Sequence, residues 1–135
     1  MRFDRKLHAA LAVPALAIAV LAGCGGGGEK EKTSAPAASA AATTLRLIAD
    51  RSGQLRFDKK TLDASAGKVT IVMKNPAPLS HNVSIEGSGV NAMGQTVGQG
   101  GTSTVNANLE PGRYTFYCSV PGHREGGMVG TLTVK

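Results

Sequence analysis

The chain of 135 residues has room for one folded domain. Aromatic residues make up only 4% of it and Trp is absent, while Gly occurs 18 times, which favours short strands joined by many turns. The formal net charge of +6 is dispersed, and no stretch interleaves cations with stacking aromatic residues, which argues against nucleic acid as a partner.

Residues 1–23 have the organisation of a secretory signal peptide: a basic start, a short apolar run and small residues before a cleavage site. The segment leads into Leu21-Ala22-Gly23-Cys24, which resembles the bacterial lipobox, whose cysteine is acylated and becomes the new N-terminus. We therefore expect Cys24 to be lipidated and the protein to lie outside the cytoplasm, anchored to the cell membrane in the periplasm or at the cell surface. An uncleaved anchor is the alternative, and it leaves the domain on the same side.

Residues 24–42 continue from Cys24 in Gly, Ala, Ser and charged residues, without a large apolar side chain. Such a segment cannot bury enough surface to offset its chain entropy, so we predict a flexible tether between the lipid and a folded domain. If the lipid consumes the Cys24 thiol, Cys118 is the remaining thiol of the mature chain.

From residue 43 onwards, apolar and polar residues alternate between turn residues. Strands are predicted over residues 44–48, 55–58, 68–74, 81–86, 102–109, 113–118 and 128–135. Residues 59–66 are predicted to form a loop or a single helical turn, and residues 87–101 a long loop with a short strand at 95–97. About seven short strands without a convincing helix indicate an all-β protein, an antiparallel β-sandwich formed by residues 43–135.

One loop near the C-terminus carries three potential metal ligands. Cys118, His123 and Met128 are evenly spaced, with Pro-Gly directly before the histidine and Gly-Gly directly before the methionine. Cys118 ends one predicted strand and Met128 begins the next, so a single loop presents all three side chains from one end of the sandwich. His81, at the start of an upstream strand, offers a second imidazole.

The types of ligand narrow the choice of metal. Zinc favours four strong ligands, for which a thioether is a poor choice, and calcium and magnesium need oxygen donors. One thiolate, two imidazoles and a weak thioether form the ligand set of a type 1, or blue, copper site. Met73, in an alternating strand, is predicted to belong to the core, and Met93, in a glycine-rich loop, has no neighbouring ligand.

Two stretches resemble the ligand motifs of the cupredoxins: Ser80-His81-Asn82-Val83, and the run from Tyr117-Cys118 to Met128-Val129-Gly130. The even gaps and the Pro-Gly before the histidine are closer to auracyanin, rusticyanin and sulfocyanin than to plant plastocyanin, whose gap between Cys and His is shorter. The resemblance covers residues 43–135, a plastocyanin-like domain, and implies a Greek-key sandwich with one copper near one pole.

Carried over residue by residue, the resemblance makes His81, Cys118 and His123 the equatorial copper ligands and Met128 the axial one. Asn82 is then expected to tie the two ligand strands together beside the cysteine sulfur.

The resemblance implies an electron carrier that exchanges single electrons with redox proteins such as a cytochrome or an oxidase, and we expect a monomer. Four protein ligands leave no open position for a substrate, which argues against an enzyme. The alternative is a copper-binding module of the cell envelope that stores copper or delivers it to an oxidase. We expect His123 to reach the surface through an apolar patch formed by Leu79, Val120, Pro121 and Gly122.

Overall fold

Side chains alternate between buried and exposed along most of the strands, as expected where one face of a sheet covers a core and the other meets solvent. A computed structural model describes residues 42–135. The regular secondary structure of these residues consists of β-strands alone. The strands are β1 (Thr43–Ile48), β2 (Thr61–Ala64), β3 (Gly67–Lys74), β4 (Ser84–Gly87), β5 (Val90–Met93), β6 (Thr102–Leu109), β7 (Gly112–Tyr117) and β8 (Val129–Val134).

The predicted signal peptide of residues 1–23, the lipidated Cys24 and all of the predicted tether before residue 42 lie outside the described residues. Within those described residues, no helix is long and apolar enough to cross a lipid bilayer.

Two sheets enclose one apolar core. A three-stranded sheet has the order β1-β3-β6, and a five-stranded sheet has the order β2-β8-β7-β4-β5. Their inward side chains pack together, and the rings of Phe57 and Phe116 lie 5.7 Å apart. Met73 belongs to this core and is fully buried, as its strand pattern predicts. The all-β, two-sheet architecture predicted from the sequence is therefore confirmed.

The pairing of the strands is not wholly antiparallel, and here the sequence prediction is wrong for two pairs. β1 runs parallel to β3, and β2 runs parallel to β8. Between β1 and β3 the chain crosses to the other sheet and forms β2 there. When it comes back to the first sheet, β3 runs in the same direction as β1. Alternation shows which side chains face the core, but it does not show the direction of a partner strand.

The segment between the first two predicted long strands also differs from the prediction. The loop or helical turn predicted over residues 59–66 is wrong, because Thr61–Ala64 forms β2 and pairs with β8. This partner lies far along the chain, so the local pattern does not reveal it. The strand predicted over residues 55–58 is reduced to a single bridge between Phe57 and Ala49.

The glycine-rich segment of residues 87–101 contains more structure than predicted. β4 and β5 form a hairpin whose turn places Ser88 and Gly89 at positive φ, 47° and 79°. This is the backbone twist that two-residue hairpin turns favour, and glycine adopts it without strain. The short strand predicted over residues 95–97 is reduced to a bridge between Val97 and His81.

Two segments meet at one end of the sandwich. Residues 75–83 lead from β3 to β4, and residues 118–128 connect β7 to β8. Side-chain and main-chain hydrogen bonds between Asn82 and Ser119 join the two segments. All four predicted copper ligands lie in these two segments.

Candidate metal centre

Three of the predicted ligand atoms converge at this end of the sandwich. The Nδ1 atoms of His81 and His123 are 3.1 Å apart, and Cys118 Sγ lies 3.9 Å from the first and 3.6 Å from the second. The point equidistant from the three atoms lies about 2.1 Å from each, close to the length of bonds from imidazole nitrogen to first-row metals. The triangle therefore fits one metal ion without rearrangement.

Burial differs across the triangle. His81 and Cys118 are fully buried, whereas His123 is partly exposed. Burial, followed by the nearby His123 ring, lowers the pKa of His81 below its ordinary value. This imidazole is therefore neutral near neutral pH, which is the state in which a histidine binds metal. Its Nε2 atom is buried and has no hydrogen-bond partner among the described residues, so the ring's polar contacts are those made by Nδ1.

Main-chain hydrogen bonds hold the loop of residues 118–128 in a closed shape. The Cys118 N–H donates to the Met128 carbonyl at 3.0 Å, and the Met128 N–H donates to the His123 carbonyl at 2.9 Å. Through these two hydrogen bonds the main chain of Met128 connects the other two predicted ligands of this loop. The Met128 side chain itself is fully buried. Gly122 and Gly127 precede His123 and Met128 at positive φ, 79° and 106°, which explains why glycine stands at these two positions.

His81 is fixed from the opposite segment. Its N–H donates to the Val97 carbonyl at 3.0 Å, and its carbonyl accepts from the Val97 N–H at 2.9 Å. The bridge anchors the backbone of His81 on both sides of its Cα atom. The orientation of the His81 imidazole thus depends on Val97, which lies outside the eight strands.

Asn82 joins the two ligand segments. Its Oδ1 accepts a hydrogen bond from the Ser119 N–H at 2.7 Å, and its Nδ2 donates to Ser119 Oγ at 2.7 Å and to Thr96 Oγ1 at 3.2 Å. Its main-chain N–H donates to Cys118 Sγ at 3.4 Å. These are the contacts expected of a residue that orients the cysteine sulfur between the two ligand segments.

Sequence reasoning missed Asn75, which is almost wholly buried. Its Nδ2 donates to the Leu79 carbonyl at 2.8 Å and to the Val97 carbonyl at 2.9 Å, and its Oδ1 accepts from the Ala77 N–H at 3.1 Å. The side chain therefore holds the segment that leads to His81 against the strand bridge that fixes it. In the sequence the Asn75-Pro76 pair indicates only a turn, so the hydrogen bonds of the Asn75 side chain could not be predicted from it.

A second missed residue is Arg124, which follows His123. Its guanidinium makes two hydrogen bonds to the Glu86 carboxylate, of which the one from Nη1 to Oε2 measures 3.0 Å, and it lies 4.4 Å from the centre of the Tyr117 ring. The hydrogen bonds from Arg124 lower the pKa of Glu86. Because Tyr117 precedes Cys118, the contact attaches the ligand loop to the strands that support it.

A β-sandwich that holds two imidazoles and one thiol in a metal-sized triangle at its end defines a small copper protein of the cupredoxin class. The chain belongs to the family of copper binding proteins described as the plastocyanin/azurin family, which matches residues 45–135. The family and the triangle agree on the cofactor, one type 1 copper.

Individual relatives agree with this assignment. The chain is similar to the chloroplastic plastocyanin minor isoform of Arabidopsis thaliana, with 39% identity over 100 residues that cover 66% of this chain and 56% of the relative. The chain thus spans little more than half the length of that relative. It is also similar in structure to an auracyanin from the photosynthetic bacterium Roseiflexus castenholzii, with a TM-score of 0.62, 27% identity, and coverage of 69% of this chain and 97% of the other. Auracyanin A, a "blue" copper protein from Chloroflexus aurantiacus, is similar with a TM-score of 0.61 and 25% identity. This match covers 70% of this chain and 100% of the other.

Proposed function

We propose that the protein carries single electrons between redox proteins at the outer face of a cell membrane, as a monomer held there by lipid on Cys24. In this proposal His81, Cys118, His123 and Met128 would hold the copper. The single observation that carries the proposal is the triangle of three donor atoms, built from two segments whose backbones are fixed by hydrogen bonds.

Bound copper supplies a one-electron couple between Cu(II) and Cu(I). The chain contributes by holding the donor atoms in one arrangement. The bridge between His81 and Val97 and the closed loop from Cys118 to Met128 are hydrogen-bonded without reference to the metal. The donors therefore move little when the charge of the ion changes, which keeps the reorganisation energy of electron transfer small.

Partial exposure of His123 gives the electron a route to the surface. Leu79 is 43% exposed, Pro121 and Gly122 are exposed, and Val120 is partly buried, which supports the apolar docking patch proposed from the sequence. An Asp in place of Val120 is expected to slow electron exchange with the redox partner at least tenfold while the copper absorbance stays unchanged. Unchanged exchange would remove the patch from the proposal.

The visible spectrum of residues 43–135 after addition of Cu(II) tests the copper function directly. We expect an intense blue or green band that disappears on reduction and is absent from Cys118→Ser. A matched control, Ser65→Ala, changes an exposed hydroxyl far from the ligand segments and should keep the band. A colourless parent protein would refute the type 1 site.

The same triangle bears on the alternative of copper storage or delivery. A buried thiol and a buried imidazole favour slow metal exchange, as a carrier requires. Copper retained through many redox cycles in the presence of a competing chelator supports the carrier, whereas rapid loss to the chelator favours delivery. The proposed partners, a cytochrome or an oxidase, follow from the carrier function, and catalysis is not expected because the four ligands leave no position for a substrate.

The membrane location rests on the sequence of residues 1–24. We expect mass spectrometry of the protein from its native membrane to show acyl chains on an N-terminal Cys24. A Cys24→Ala variant should be released from the membrane fraction or retain its signal peptide. An unmodified thiol at Cys24 would refute lipid anchoring and leave the copper function untouched.

A further inference from the structure

The three-stranded sheet turns one face to the core and the other outward. On the outward side the register sets Arg46 beside Val72, and Ile48 beside Lys74. The hydrogen bond from Thr70 Oγ1 to Asn106 Oδ1, at 2.7 Å, crosses the same side. We call the outward side chains of β1, β3 and β6, together with the adjoining Arg51, the outer sheet face. Apart from its cations it presents mainly Thr and Asn, and no carboxylate of the described residues lies on its strands.

The outer sheet face carries the entire net charge of the described domain. Residues 42–135 contain ten Lys and Arg and six Asp and Glu, which leaves a net charge of +4. Four of the cations belong to this face: Arg46, Arg51, Lys68 and Lys74. The six cations elsewhere balance the six carboxylates. Charge dispersed along the sequence is therefore concentrated on one side of the folded chain.

The four cations of the face are also free of ion pairs within the described part of the chain, whereas four of the other six are paired with carboxylates. Between Arg46 and Lys74 lies a groove of about 310 Å³ lined by Val72 and Ile48, and Ile48 is 45% exposed. Unpaired cations beside a shallow apolar groove complement a surface whose outermost layer is anionic and whose next layer is apolar.

Two further features favour a membrane over an acidic protein as the occupant. The predicted lipid tether joins the domain at Thr43, the first residue of β1, which belongs to this sheet. The ligand loop of residues 118–128 connects two strands of the other sheet, so contact through the outer sheet face leaves that loop accessible. A redox partner seated on the same face would instead lie away from the ligand loop.

We propose that the outer sheet face rests on the anionic phospholipid headgroups of the membrane to which the chain is tethered. The inference deepens the proposed function and depends on it for the tether. Each cation near an anionic bilayer strengthens binding by roughly fivefold, and tethering raises the effective concentration, so contacts of this strength suffice to orient the domain. The ligand loop then faces redox partners that move along or above the membrane.

Vesicle binding by copper-loaded residues 43–135 tests the proposal. This stretch suffices because it contains all described strands and the whole of the family match, residues 45–135. The probe is sedimentation with vesicles that contain about 30% phosphatidylglycerol in phosphatidylcholine, against phosphatidylcholine alone, at low and high salt. The test variant is Lys68→Gln with Lys74→Gln. The control is Arg113→Gln with Lys135→Gln, which removes the same charge from exposed positions outside the face.

We expect salt-sensitive binding to the anionic vesicles alone, weakened roughly 25-fold in the test variant and less than threefold in the control. No binding to anionic vesicles, or equal weakening in both variants, would overturn the proposal. So would a parent domain that ignores vesicles while its electron exchange with an acidic redox protein falls only in the test variant, because the face would then serve a protein. The blue absorbance of the same samples distinguishes failure of the copper site from failure of the membrane contact. A blue domain that does not bind vesicles refutes only the membrane contact.

Discussion

Replacing Asn75 by Ala tests whether one buried amide holds the approach to the metal centre. The change removes three hydrogen bonds and leaves the Ala77 N–H and the Leu79 carbonyl without these partners. Each lost bond costs about 1 kcal/mol, and a group left unsatisfied adds to that unless water reaches it. The Val97 carbonyl keeps its bond from His81, and the exposed Leu79 segment admits water. We therefore expect the domain to lose about 2–3 kcal/mol of its free energy of unfolding.

Urea unfolding of the copper-free domain measures this loss, and the shape of the visible copper band reports whether His81 has moved. Asn91→Ala, an exposed position in β5, is the matched control and should change stability by less than about 0.5 kcal/mol. Asn75→Asp keeps the shape but sets an oxygen against two carbonyl oxygens, so it should destabilise at least as much as Ala at neutral pH. A loss at Asn75 no larger than that at Asn91 would refute the reasoning.

Two further changes probe the supports of the ligand loop. Gly130→Ala is expected to cost about 3 kcal/mol or more, because a Cβ atom there would stand 2.6 Å from the Lys60 carbonyl and would overlap the Phe116 ring. Gly98→Ala, where a Cβ atom meets nothing within 4 Å, should leave the urea midpoint almost unchanged, and equal effects would contradict the packing. The lowered pKa of Glu86 means that its ion pair stabilises the fold above the ordinary glutamate pKa of 4.5 and that this contribution is lost as pH falls through the folded value. Glu86→Gln should therefore flatten the fall in unfolding midpoint between about pH 6 and pH 3, and an unchanged slope would refute that assignment.

The predicted ligands were accessible from sequence because their residue types are scarce and their spacing is regular. His81, Cys118 and His123 could be grouped before any fold was known, and the structure brings their donor atoms within 4.8 Å of one another. Alternation also identified most of the strands, since a buried face leaves a period of two in the sequence.

What the sequence does not reveal are partners that lie far apart along the chain. β2 exists because of β8, and Arg124 meets a glutamate 38 positions away, so no local pattern marks either. Asn75 acts through Val97, 22 positions away, and its sequence context indicates only a turn. The direction of the two parallel pairs is likewise set by the path of the chain between sheets, which alternation does not record.

The origin of the triangle in two distant segments has a consequence for how the protein matures. Cys118 and His81 are 37 positions apart, and the chain between them crosses to the other sheet to form β6 and then returns. Folds dominated by such long-range pairings form slowly, in milliseconds to seconds, because loop closure precedes the contacts that reward it. In a zinc finger the metal organises the chain, whereas here main-chain hydrogen bonds fix the backbone of His81 and of the loop from Cys118 to Met128. Copper is thus expected to bind after the fold has brought these segments together, and, if the proposed location outside the cytoplasm holds, folding would bury the Cys118 thiol there before it is oxidised.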